Sequence, residues 1–196
     1  MRQLSYAVVF GTLWGTAEMT AGGLLHALYV PFAGILLAAV GAAILACQRA
    51  LCPVRGITLT TGCLAAGIKI FSMGGLNLYA LLAVLMEALL AEGVFCLFGT
   101  GFLTAAFAGF LMGLWSFVQG LLKLMLLYGI HWIEASLSAL SHQAPSSTLS
   151  PMALFVLAAL LVVSVPASGG VLGHWSARRF SGFLPGSPFP LRKTSA

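Results

Sequence analysis

Six long apolar runs dominate this chain: residues 4–28, 32–47, 57–71, 76–98, 102–128 and 151–172. Four of them reach the ~20 residues that a helix needs to cross the hydrocarbon of a bilayer, while 32–47 and 57–71 are shorter. Only 7% of the residues are charged and 60% are hydrophobic. A soluble domain carries roughly 25% charged residues, so the composition excludes a soluble globule. The expected fold is all-α, a polytopic membrane protein with a bundle of six transmembrane helices over 1–180 and a disordered tail over 181–196. That tail carries Pro185, Pro188 and Pro190 and shows no periodicity. The first run is expected to remain as a helix, being too long for a signal-peptide core and lacking a clear cleavage site.

Orientation follows from the basic residues. With the N-terminus inside, Arg2, Arg49, Arg55, Arg178, Arg179, Arg192 and Lys193 all fall on the cytoplasmic side. The opposite orientation places all of them on the wrong side, so both termini are expected inside a cell (inner) membrane. The net charge of +5 is spread between apolar runs and is no nucleic-acid footprint. Segment 128–150 is the one long outer connection. Its first half, with Trp132, Ile133, Leu137 and Leu140, reads as a short interfacial helix, and its second half is rich in Ser and Pro. Cys47, Cys52, Cys63 and Cys96 form no zinc pattern and read as small packing residues.

Within the spans a pattern recurs, in which small residues at helical spacing lead up to one ionisable group. Ala7, Gly11 and Gly15 precede Glu18; Gly62 and Ala66 precede Lys69; Ala80, Ala83 and Ala91 surround Glu87; Gly109, Gly113, Ser116 and Gly120 precede Lys123. Spacings of three or four put the small residues and the charge on one face, which packs inward. By helical rise Glu18 lies about 20 Å above the cytoplasmic start of its span, and the other three charges also fall in the middle or outer half. Charged groups in lipid are costly, and two acids with two bases at similar depth compensate one another. Asn77, Tyr79, Trp115 and Gln119 are placed to complete a pocket. An alternative remains open, in which the charges form an internal ion-pair network or the lysines snorkel outward. Glu92, on a different face and nearer the cytoplasm, reads as an ion-pairing residue of the inner interface.

His26, His131, Glu134 and His142 gather on the outer side, but they match no fixed metal motif, and no metal site is expected. No nucleophile elbow, phosphate loop or acidic divalent site is present, and the chain contains no Asp. Neither an enzyme nor a resident cofactor is therefore expected.

Six spans in about 200 residues, with the Ala7-x-x-x-Gly11-x-x-x-Gly15 ridge in the first helix, resemble the substrate-binding (S) subunit of energy-coupling factor transporters. The resemblance implies uptake of a vitamin or vitamin precursor. The small-molecule substrate would bind near the outer face, at Glu18, Lys69, Asn77, Glu87, Trp115, Gln119 and Lys123. Ala7, Gly11 and Gly15 would dock on a transmembrane coupling subunit, itself joined to ATPase subunits, with membrane lipid around the whole. The His near the N-terminus of the cobalt and nickel subgroups is missing from Met1-Arg2-Gln3, which argues against a metal-ion substrate. A scaffold or assembly protein without a small ligand is the alternative, ahead of a membrane enzyme.

Overall fold

The computed structural model describes residues 2–28, 33–71, 78–129, 131 and 150–181. These form α1 (Arg2–Ala27), α2 (Ala33–Leu51), α3 (Ile57–Lys69), α4 (Leu78–Phe98), α5 (Phe102–Tyr128) and α6 (Pro151–Phe180), with no strand among the described residues. Four helices are long and apolar enough to cross a membrane: α2, α4, α5 and the part Phe155–Phe180 of α6. α1 has the length, at 26 residues, but Glu18 and its glycines and threonines lower its apolarity. α3 departs from the expectation of a sixth crossing. Its 13 residues rise about 20 Å, against a hydrocarbon core of about 30 Å. α2 departs the other way, running on to Leu51 so that Arg49 lies in its last turn rather than in a loop.

Local chemistry sets several boundaries. α6 starts where Ser150 Oγ accepts a hydrogen bond from the Ala153 N–H at 3.2 Å, with Pro151 in the first turn, where its missing donor is not needed. α4 turns into α5 through Gly99, whose φ of 74° lies in the left-handed region that disfavours a side chain.

Close contacts fix the topology. α1 and α3 lie side by side and run in the same direction: a Cβ on Gly11 would meet Leu64 Cβ at 2.8 Å, and one on Gly15 would meet Ile68 Cβ at 2.8 Å. α4 returns along α3, with Ala88 against Gly62, and α5 runs back along α4. α6 descends along α5, its Pro166 seated in the notch between Gly109 and Gly113. On its other side α6 meets α2, where Gly169 and Gly173 lie on the carbonyls of Ala39 and Ala43. α2 occupies the middle of the bundle, touching all the other helices, and Trp14 of α1, fully buried, lies flat against its Gly41. Apolar burial does not drive helices together in lipid, so these backbone-level approaches supply the cohesion.

Leu4, Val9, Leu13, Leu97, Leu103, Leu126 and Leu161 point outward, each more than half exposed. A surface of this kind is rare on a soluble monomer and is what acyl chains cover. Because helices consecutive in the chain alternate in direction, α1, α3 and α5 begin, and α2, α4 and α6 end, at one end of the bundle. Arg49, Arg55, Arg178 and Arg179 belong to that arginine end.

Candidate functional site

Toward the opposite end, three helices bring their charges together. Lys69, the last residue of α3, donates a hydrogen bond and an ion pair to Glu18 Oε2 of α1. Glu18 is 3% exposed, so its charge is screened by Lys69 rather than by water. Glu87 of α4, also 3% exposed, lies close enough to interact electrostatically with both. Its Oε1 accepts from Ser116 Oγ of α5 at 3.0 Å, and its Oε2 is buried without a hydrogen-bond partner among the described residues. Glycines open the remaining sides. Gly22 of α1 faces the Glu18–Lys69 pair, where a Cβ would stand 3.9 Å from both Glu18 Oε2 and Lys69 Nζ, and Gly34 of α2 faces Ser116 Oγ. Two buried carboxyl groups thus lie near one ammonium, which pairs with Glu18, at a point reached by five helices. A buried acid with an unmatched oxygen is a place where a proton, a water or a solute donor gains a strong hydrogen bond.

The flanking residues divide. Tyr79 and Gln119 lock α4 to α5: the Tyr79 hydroxyl donates to the Gln119 carbonyl, and Gln119 Nε2 donates to the Tyr79 carbonyl at 2.9 Å. Gln119 is thereby committed to holding helices together, although it was expected in the pocket. Trp115, one residue before Ser116, has a buried indole N–H without a partner among the described residues. Lys123 does not join the constellation. It is exposed on α5, and no carboxylate among the described residues pairs with it. Lys123 lies about 10 Å further along α5 than Ser116, away from the level at which Ser116 meets Glu87. Asn77 lies outside the described residues, as do Glu134 and His142; His131 is exposed, and no group of three metal-ligating side chains occurs among the described residues.

The small-residue ridge has a different use from the one expected. Ala7, Gly11 and Gly15 are all buried, and α3 of the same chain covers them, through Leu64 over Gly11 and Ile68 over Gly15. The ridge therefore has no free face for a second subunit. The neighbouring stripe of Thr12, Thr16 and Thr20 is the exposed one.

A second polar cluster organises the arginine end. Glu92 of α4 accepts from the Gly56 N–H at 2.7 Å and the Thr58 N–H at 3.1 Å, and also from the Thr58 hydroxyl. Those amides are the first turn of α3, so Glu92 caps a helix to which it does not belong and meets the positive end of its dipole. Arg49 Nη1 pairs with Glu92 Oε1 at 3.3 Å and donates to the Val54 carbonyl, with its guanidinium 5.9 Å from the Phe95 ring centroid. Cys96 Sγ donates to Glu92 Oε1 at 2.9 Å. This cluster pins the α2–α3 connection to α4. Close by, Gln48 is fully buried and donates to Thr61 Oγ1 at 2.6 Å.

Two partners escaped the sequence reading. Ser116 was visible as one of the small residues on the α5 face, yet nothing in the sequence pairs it with Glu87. Arg49 sat beyond the apparent end of the second run, and only the extension of α2 buries it. Neither a family model, nor a curated protein, nor a solved structure matches this chain.

Proposed function

We propose that this chain is a solute-binding membrane protein of transporter type, and that the Glu18–Lys69–Glu87–Ser116 constellation receives the solute. The observation that carries the reading is Glu87 Oε2, an acidic oxygen buried in the bundle with no hydrogen bond among the described residues, next to a glutamate already paired with lysine. Burying a second acid beside the first is expensive in lipid and has no packing benefit that Gln or Leu would not supply. A polar solute with a donor for Glu87 and an acceptor for Lys69 would complete the set. The bundle's size and the position of the constellation away from the arginine end support the S-subunit form of this reading, with capture from the outer side and delivery by a coupling subunit and ATPase subunits. The buried ridge moves the docking surface of that form to the exposed Thr12–Thr16–Thr20 face of α1.

Native mass spectrometry of the protein released gently from its own membrane tests the reading. The wild type should carry one discrete small molecule, lost in Glu87→Gln and Lys69→Met and kept in Lys123→Gln. A wild type that carries none, at full stability, would favour a purely architectural ion-pair network.

A further inference from the structure

We propose that the groove at the arginine end is a binding site for one anionic phospholipid. The groove has a volume of about 270 Å³ and lies between the first turn of α1 and the α2–α3 connection. Gln3, Leu4, Val54, Arg55, Ile57 and Thr60 line it, so a cationic and hydrogen-bonding set is mixed with apolar walls. It stands apart from the Glu18 constellation and does not depend on what binds there.

Charge accounting at this end points to the ligand. The chain has four acidic residues and no Asp. Among the described residues, Glu18 and Glu87 belong to the other end. Glu92 alone remains among them, and Arg49 and the first turn of α3 consume it. Arg55 is exposed, and among the described residues no carboxylate pairs with it. Its guanidinium is therefore open to an anion in the groove that it lines. The first turn of the 26-residue α1 borders the same groove, and its leading N–H groups have no intrahelical acceptors, which adds a partial positive charge.

An anion with an acyl chain fits better than the alternatives. Leu4, 65% exposed, and Val8, 46% exposed, are four residues apart and continue from the groove along the outer side of α1, where a lipid tail would lie. Free phosphate would leave that apolar surface uncovered. Basic pockets at the cytoplasmic ends of transmembrane helices are suited to anionic headgroups.

The experiment is native mass spectrometry of delipidated full-length protein titrated separately with dioleoyl phosphatidylglycerol and dioleoyl phosphatidylcholine. One phosphatidylglycerol should be retained in preference to phosphatidylcholine, and inorganic phosphate should not displace it. Arg55→Gln should weaken that retention about fivefold, the size expected for one basic side chain at an anionic surface. Thr60→Trp, which fills the groove while leaving Arg55 in place, should weaken it too; an Arg178→Gln/Arg179→Gln pair should not. Equal retention of the two lipids, displacement by phosphate, or undiminished retention in both groove variants would each overturn the proposal. Both substituted side chains are exposed, so the variants keep their fold, which circular dichroism checks.

Discussion

Lys69 closes α3 onto Glu18 of α1, 51 positions earlier in the chain, and the two helices reach that contact side by side and in the same direction. A parallel pair of neighbours requires a helix to run back between their ends, and α2 does so through the middle of the bundle. The contact is therefore a statement about topology as well as about charge. It holds only if the glycine ridge of α1 lies against α3 for its whole length.

The pair should behave as a unit. Lys69→Met alone leaves the Glu18 carboxylate buried and uncompensated, and is expected to cost about 3 kcal/mol. The double variant Glu18→Gln/Lys69→Met should recover more than half of that loss. Unfolding in mixed micelles measures the cycle, and strictly additive losses would mean that the two side chains do not interact.

Glu92 is expected to matter for stability and not for solute. Glu92→Ala removes the cap of α3 and leaves Arg49 buried at 3% exposure without its acid, a loss of about 3 kcal/mol. Glu92→Gln keeps an acceptor for the amides of Gly56 and Thr58 and should cost less. Hydrogen exchange at the Thr58 amide should quicken in both variants, more in the alanine one, while the retained small molecule stays bound.

Much of this arrangement was legible in the sequence, for reasons that differ by residue. Glu18, Lys69 and Glu87 were identifiable because charge in an apolar run is rare, and because the small residues leading up to each mark the packed face. The pattern predicts convergence of these three with Lys123; in the structure Lys69 pairs with Glu18, and Glu87 lies near both. Lys123 carries the same signature, but it is exposed and pairs with no carboxylate among the described residues. The glycine ridge was read correctly as a packing surface, but a periodic stripe does not say which helix fills it. Arg49 was hidden by its position after an apparent stop, where a buried arginine and a loop arginine look alike.

Glycines at backbone contacts should tolerate nothing larger. Gly173→Val drives methyl groups into the Ala43 carbonyl of α2, and Gly109→Val does the same at Pro166 of α6. Neither partner can retreat without moving a helix, so losses of at least ~2 kcal/mol are expected. Gly93→Ala, where an added methyl meets nothing within 4 Å, should stabilise α4 by about 0.5–1 kcal/mol. Thermal unfolding of the three variants compares them directly.

The two faces of α1 should separate cleanly. Gly11→Leu collides with Leu64 and the Thr61 carbonyl, and is expected to lower the melting temperature of the isolated chain. Thr16→Leu, on the exposed face, should leave the melting temperature within error and instead weaken any association with a coupling subunit. Co-purification after crosslinking reads the second effect. An unchanged melting temperature in Gly11→Leu would mean that α1 and α3 do not pack as described.

The central claim is that Glu87 and its neighbours bind a solute rather than only one another. The most direct measurement is equilibrium binding of the co-purified small molecule to reconstituted protein, comparing wild type with Glu87→Gln, Ser116→Ala and Lys123→Gln. Loss of a charge-assisted contact should weaken binding in Glu87→Gln by at least about tenfold, with a smaller loss in Ser116→Ala and none in Lys123→Gln. Equal affinity in all four proteins would contradict the account and leave the buried charges as scaffolding alone.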